Sequence, residues 1–392
     1  MSRQYRVYLI TLLVLAVGVL GSAPAPAALE GKTVKFGAIV PLTGRGAPTG
    51  QGNKLGMDIA VEEINAAGGI GGKPIEIILY DSAGKNEEGA AATRRLIVSD
   101  NVLAIIGPCL SGVAEVSFPV TNRLKTPSIA VCSAKPGVAE KNRPWAFRNT
   151  TISTALYEHG IRLWAEKYKI KKAAVIYDAR DAFSKADGAI VFPIMAKKAG
   201  VEIVDSVSFQ TGDLDYSGQV TKIKGLNVQG MLIAGLVNEA AAIVREAKRQ
   251  NLSIRIFGGG DLSSGKFIEL AGKDAVEGLY SVTAFWVNNP DPRAQSFLKK
   301  FRPRYNNVDP HFTAAQAYDV VYMLKQVIES EGVTNKAEDL EKDRDRIRIG
   351  LEKIKNFPGL TGITTMTKTG DVQKKILVLV ARKGEYQLVE GQ

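Results

Sequence analysis

Cysteine and histidine are nearly missing from this chain of 392 residues: Cys109, Cys132, His159 and His311 are all there are. That excludes a fold held by a disulfide framework and any metal centre rich in Cys or His. Long apolar runs are missing too, apart from 7–20 near the start. Basic tracts are also absent. The formal net charge is +11, yet pairs such as Lys171-Lys172 and Lys299-Lys300 are scattered, and 341–346 alternates in sign like a solvated helix face. No basic stretch is interleaved with aromatics, as single-strand binders require, so no nucleic-acid partner is expected. What is present is ordinary: 45% hydrophobic and 23% charged residues describe a globular chain, and its length calls for two or three domains.

Arg3 and Arg6 precede the apolar run, and small residues in an Ala-x-Ala pattern follow it. This describes a secretory signal peptide over 1–27, cut after Ala27. No cysteine follows the run, so a lipoprotein is not expected. The mature chain is expected to be a soluble protein of the periplasm.

Beyond that segment, strand and helix patterns alternate. Strands are expected at 33–40, 74–80, 102–107 and 127–131, with helices at 51–66 and 86–99. Met57, Ala60, Val61 and Ile64 share one helix face, opposite Asp58, Glu62 and Glu63. A second series places strands at 173–177, 201–208, 231–235, 254–258 and 278–283. Helices start near Ser153, Ala182, Leu214 and Glu239. Helices at 291–305, 311–330 and 335–355, a turn at 369–371 and a strand at 375–381 complete the chain. Short, nearly continuous apolar strands fit parallel sheets buried on both faces. Two such series imply an α/β protein with two doubly wound, Rossmann-like lobes.

The candidate chemistry is sparse. Gly44, Gly46 and Gly50 follow the first strand, and Asp81 ends the second, as a dinucleotide fingerprint requires. The acid comes 37 residues after Gly44 rather than about 20, which leaves a dehydrogenase only as an alternative. Neither histidine sits in a nucleophile context: His311 caps a helix start and His159 lies within a helix, so no enzyme and no cofactor are expected. Strand ends remain. Ser111 opens a helix after the 102–107 strand, where free amides and the helix dipole favour an anion. Lys135 follows the next strand and would add a full positive charge, unless Ser111 is only a cap and Lys135 only a surface lysine. Cys109 and Cys132 end the same two strands, and export permits either a disulfide or two buried thiols.

Several stretches carry a resemblance. Residues 36–44 (FGAIVPLTG), Gly50, 56–72 (GMDIAVEEINAAGGIGG), 80–82, 105–108, Phe147-Arg148 and Tyr318-Asp319 resemble the branched-chain amino-acid binding family of periplasmic solute receptors. The likeness implies the type I periplasmic binding fold, with a ligand cleft between lobes that close by a hinge motion. It implies three crossovers, near Arg148, Tyr280 and Phe357. Lobe 1 is then 30–148 plus 283–357, and lobe 2 is 149–282 plus 358–392. It also implies a monomer that delivers solute to an inner-membrane ABC permease with its ATPase subunits, or else presents it to a membrane receptor.

The resemblance assigns site residues one by one. Ser111 matches the family's carboxylate-binding serine, and Ala134 a backbone position beside it. Lys135 replaces a threonine, and Thr49 stands where a stacking aromatic is usual. Phe183 matches the second-lobe aromatic, with Ser184 in place of glycine. Leu236 replaces a tyrosine. Asp261, or the adjoining Gly260, falls where an acid receives the ligand ammonium. Trp286 follows a crossover strand and is a candidate for the cleft wall. With Lys135 at the mouth, the expected ligand is a carboxylate with an apolar body, and an aromatic or dicarboxylic acid suits it better than an aliphatic amino acid.

Overall fold

The structure, a computed structural model, describes residues 29–389. The signal segment lies outside the described residues. The first sheet holds β1 (Val34–Val40), β2 (Ile75–Asp81), β3 (Ala104–Ile106), β4 (Ser128–Ala130) and β5 (Ala146–Arg148), all parallel, in the order β2-β1-β3-β4-β5. Its connections are α1 (Ala47–Ala66), α2 (Asn86–Val98) and α3 (Ser111–Arg123). Phe36, Ile39, Ile105, Ile129 and Phe147 are fully buried in one core, each contributing about 1.5–3 kcal/mol.

The chain then crosses into a second sheet through α4 (Ser153–Tyr168). The strands are β6 (Lys172–Asp178), β7 (Glu202–Phe209), β8 (Gly230–Ala234), β9 (Arg255–Gly258) and β10 (Tyr280–Thr283). They pair in parallel in the order β7-β6-β8-β9-β10. This is the same winding as the first sheet, so the two lobes repeat in topology without repeating in sequence. Helix α5 (Ala182–Ala186) passes through a π-helical turn, Asp187–Val191, into α6 (Phe192–Lys198). Helices α7 (Ser217–Gly225), α8 (Val237–Arg249) and α9 (Gly265–Ala271) complete the second layer.

After β10 the chain returns to the first lobe as α10 (Pro292–Phe301), α11 (Phe312–Ser330) and α12 (Leu340–Lys353). Helix α11 lies against α1 so closely that a Cβ on Gly56 would stand 2.1 Å from the Ala314 carbonyl oxygen. A small antiparallel sheet follows: β11 (Phe357–Gly359), β12 (Gly362–Met366) and β13 (Val372–Gln373). The chain ends with β14 (Leu377–Arg382) and β15 (Glu385–Leu388), which extend the second sheet antiparallel beside β10.

Several boundaries differ from the sequence reading, and three of the differences have a visible cause. Helix α7 starts at Ser217, not near Leu214, because the Asp213 and Asp215 carboxylates accept the Gln210 and Ser217 amides and hold a turn there. Helix α12 starts at Leu340, because Asp343 takes the amides of Thr334 and Asn335 and Asn335 is left-handed at φ +58°. The segment 358–373, read as lobe 2, packs on lobe 1. Asp319 accepts the Leu360 and Thr361 amides at 2.7 and 3.0 Å, Arg148 pairs with Asp371, and Met366 and Val372 join the first core. The chain therefore passes between lobes at 149–152, 284–291 and 374–376.

Candidate functional site

The carboxyl ends of strands from both sheets meet at one cavity between the lobes, the place where open α/β sheets hold their ligands. Lobe 1 supplies Cys109 and Ser111 after β3, Cys132 and Ala134 after β4, and Thr49 from α1. Lobe 2 supplies Asp181 and Phe183 after β6, Leu236 after β8, and Gly260 and Asp261 after β9. The first turn of α11 adds His311, Phe312 and Thr313, and the first crossover adds Thr150. Six of the eight residues named from sequence thus line one cavity: Ser111, Ala134, Phe183, Thr49, Leu236 and Asp261.

One end of this cavity suits an anion. Ser111 opens α3, whose first bond runs from the Ala114 amide to the Leu110 carbonyl. The amides ahead of it have no intrahelical acceptor. The Ser111 hydroxyl lies 2.9 Å from that of Ser133. The Ala134 carbonyl accepts the Ser153 amide at 2.9 Å, which ties this floor to the start of α4. Cys109 and Cys132 are joined as a disulfide beneath it, so the two-thiol alternative drops out.

The other end suits a cation. Burial, then the charges of Asp181, Asp187 and Glu239, push the Asp261 carboxyl up to about 8. Behind it, burial holds Asp187 at about 7 although the Tyr157 hydroxyl donates to it at 2.7 Å. His311 also faces the cavity, but burial lowers it to about 4, so it is neutral. Its Nε2–H donates to the Gly260 carbonyl at 2.9 Å, across the gap between lobes. Among the described residues lining the cavity there is no lysine or arginine.

Two expected residues lie elsewhere. Lys135 does not enter the cavity; its ammonium pairs with Glu115, one turn into α3, and its carbonyl accepts from Arg148 at 2.7 Å. The neighbouring acid draws the side chain outward, so the positive charge expected at the mouth is not there. Trp286 lies in a different groove, with Ser263, Asn288 and Tyr386. The chain turns away from the cleft after β10, and the ring goes with it.

The sequence reading missed Asp181 and Arg45. The rule that ligands sit at strand ends points to Asp181, three residues past β6. Nothing local signals Arg45, which reaches from the glycine loop to pair with Asp181 in the opposite lobe. That loop has no free acid for a ribose. Asp81 accepts the amides of Leu42 and Ala83 at 2.8 and 2.7 Å and the Thr43 hydroxyl at 2.5 Å. Burial raises its carboxyl, but these bonds hold it below its ordinary value overall. A Cβ on Gly50 would stand 1.9 Å from the Pro41 carbonyl oxygen, so that glycine serves close packing.

Comparison with known proteins agrees with this geometry. The family model described as periplasmic binding protein matches residues 33–385. The Leu/Ile/Val-binding protein BraC3 of Rhizobium johnstonii is 28% identical over 86% of this chain and 89% of its own. A Pseudomonas aeruginosa protein that binds leucine, isoleucine, valine, threonine and alanine is 24% identical over 87% of each chain. The structure of the LivJ substrate-binding protein of Streptococcus pneumoniae in complex with isoleucine has a TM-score of 0.81 at 26% identity, covering 91% of this chain and 99% of that one. A Rhodopseudomonas palustris solute-binding protein in complex with 3,4-dihydroxy benzoic acid shares the fold at 22% identity and TM-score 0.80, over 92% of this chain and 96% of that one. With two repeated α/β lobes and a cleft at their strand ends, the chain belongs to the periplasmic binding protein family.

Proposed function

We propose that this protein captures an α-amino acid with an uncharged, apolar side chain, outside the inner membrane, and hands it to an ABC permease. The ligand carboxylate would rest on the amides at the start of α3, beside Ser111 and Ala134. Its ammonium would meet Asp261, and Phe183, Leu236 and Phe312 would cover its side chain. The observation that carries the reading is the charge of the cavity. Asp181 and Asp261 line it, His311 is neutral, and Lys135 is turned away to Glu115. Asp181 is already paired with Arg45, so a purely anionic ligand would meet the open Asp261 carboxyl with no lining cation to balance its charge, and burying an unpaired charge is costly. A zwitterion supplies the missing positive group. The preference for an aromatic or dicarboxylic acid rested on Lys135 and falls with it. Dehydrogenase activity has no support, since Asp81 is fully engaged in its loop. Among the described residues no helix is long and apolar enough to cross a membrane, which fits a receptor that meets its permease by docking.

Calorimetry tests the ligand class. Leucine, isoleucine and valine should bind, while benzoate and succinate should not. Binding of benzoate with no response to any amino acid would overturn the reading. Delivery is checked by reconstituting the protein with its permease and ATPases and following uptake of the same amino acid.

A further inference from the structure

We infer that Arg45 sets the charge selectivity of the cleft: by occupying Asp181 it leaves Asp261 as the one carboxylate open to a ligand, so amino acids with a cationic side chain are refused. This deepens the reading above and rests on it. Asp181 lines the cavity beside Phe183 and Leu236 and has 1% of its side chain exposed. One of its oxygens accepts the Ser184 amide and hydroxyl, both at 2.8 Å, at the start of α5. The other is taken by the Arg45 guanidinium, which comes from lobe 1 and is steadied by the Gly84 carbonyl at 3.1 Å.

The wall behind this pair is rich in acid. Asp178 is spent on the amides of Arg180, Asp181 and Thr211 at 2.8, 3.2 and 3.1 Å. Glu239 stands near and is shifted up by burial, then by Asp178 and Asp181, with Arg45 opposing. Without Arg45, the Asp181 carboxylate would face the cavity with no cation of the protein opposite it. It would then suit a second ammonium or a guanidinium, held at the side-chain end while Asp261 holds the α-ammonium. With Arg45 in place, such a group meets a like charge and an acceptor already in use.

The test uses the full mature chain and calorimetry with leucine and lysine. Wild type should prefer leucine by at least a hundredfold. Arg45→Met should narrow that ratio at least tenfold, chiefly by tightening lysine. Arg45→Met with Asp181→Asn should restore the wild-type ratio, because asparagine keeps the helix cap but not the charge. Asp181→Asn alone should leave the refusal of lysine intact. An unchanged ratio in Arg45→Met, or equal loss of both ligands in a variant that melts like wild type, overturns the inference and leaves the amino-acid reading standing. If wild type binds no α-amino acid, both fall.

Discussion

At Asp261, three acidic neighbours add to burial and move the carboxyl from an ordinary 3.8 to about 8. A bound ammonium favours the ionised form, so leucine binding at pH 7 should release close to one proton, and affinity should rise as pH approaches 8. Calorimetry in buffers of different ionisation enthalpy measures that release. Asp261→Asn should abolish it and weaken leucine on the order of 100-fold, the value of a hydrogen bond to a charged group. In the absence of ligand the sign is opposite. A carboxyl raised in the folded state binds its proton more tightly than the unfolded chain does. Its contribution to stability is complete below pH ~4 and is lost as pH rises through about 8. Melting temperature across that window should therefore fall more steeply for wild type than for Asp261→Asn. Ser111 could be placed from sequence because strand ends mark ligand sites, and Asp261, or the adjoining Gly260, because the family resemblance puts an acid there. Lys135 could not, because a strand-end position does not reveal which way the side chain turns, and Glu115 decides that.

Strands β3 and β4 are short, yet both halves of the anion platform stand at their ends. Their spacing left the pairing of Cys109 and Cys132 open, since 23 residues of separation suit a disulfide and two free thiols equally. Adjacent parallel strands bring the two sulfurs together, and the Asn53 amide donates to Cys132 Sγ at 2.7 Å. A bond closing a loop of 23 residues is worth about 3 kcal/mol. Cys109→Ala with Cys132→Ala should therefore lose about that much unfolding free energy, read as a lower midpoint in a denaturant titration. Because Ser111 and Ala134 follow the bonded residues, the same variant should also bind leucine more weakly, which calorimetry at a temperature where both proteins are folded would show. Helix and strand cores were legible from periodicity. Their ends were not, where carboxylates such as Asp343 and Asp215 capture the backbone first.

Across the whole molecule, two lobes share one polar hinge. The buried Lys374 ammonium donates to the Asn149 carbonyl at 2.9 Å, Asn149 Oδ1 at 2.8 Å and the Thr361 hydroxyl at 2.8 Å. Asn149 donates in turn to the Gln316 carbonyl at 3.0 Å. Burial lowers Lys374 to about 8 against the pull of Asp319. Lys374→Met would leave buried acceptors and Asp319 without their cation, so an unfolding titration should show a loss of about 3 kcal/mol. Closure should be visible as well. Arg45 with Asp181 and His311 with Gly260 join opposite lobes, so X-ray scattering should give a smaller radius of gyration with leucine than without. Identical curves would show that the lobes do not move on binding.

Alternating short apolar strands and amphipathic helices can be read along the chain, because a parallel strand buried on both faces constrains nearly every residue within it. The α/β class, the paired lobes and the strand ends that frame the cleft all follow from that local rule. Arg45 and Asp181 are 136 positions apart, and Arg148 and Asp371 are 223. No periodicity carries contacts of that range. The charge of the cleft, the outward turn of Lys135 and the lobe that receives 358–373 were therefore set only when distant carboxylates and guanidinium groups were packed together, where each buried charge must find a partner.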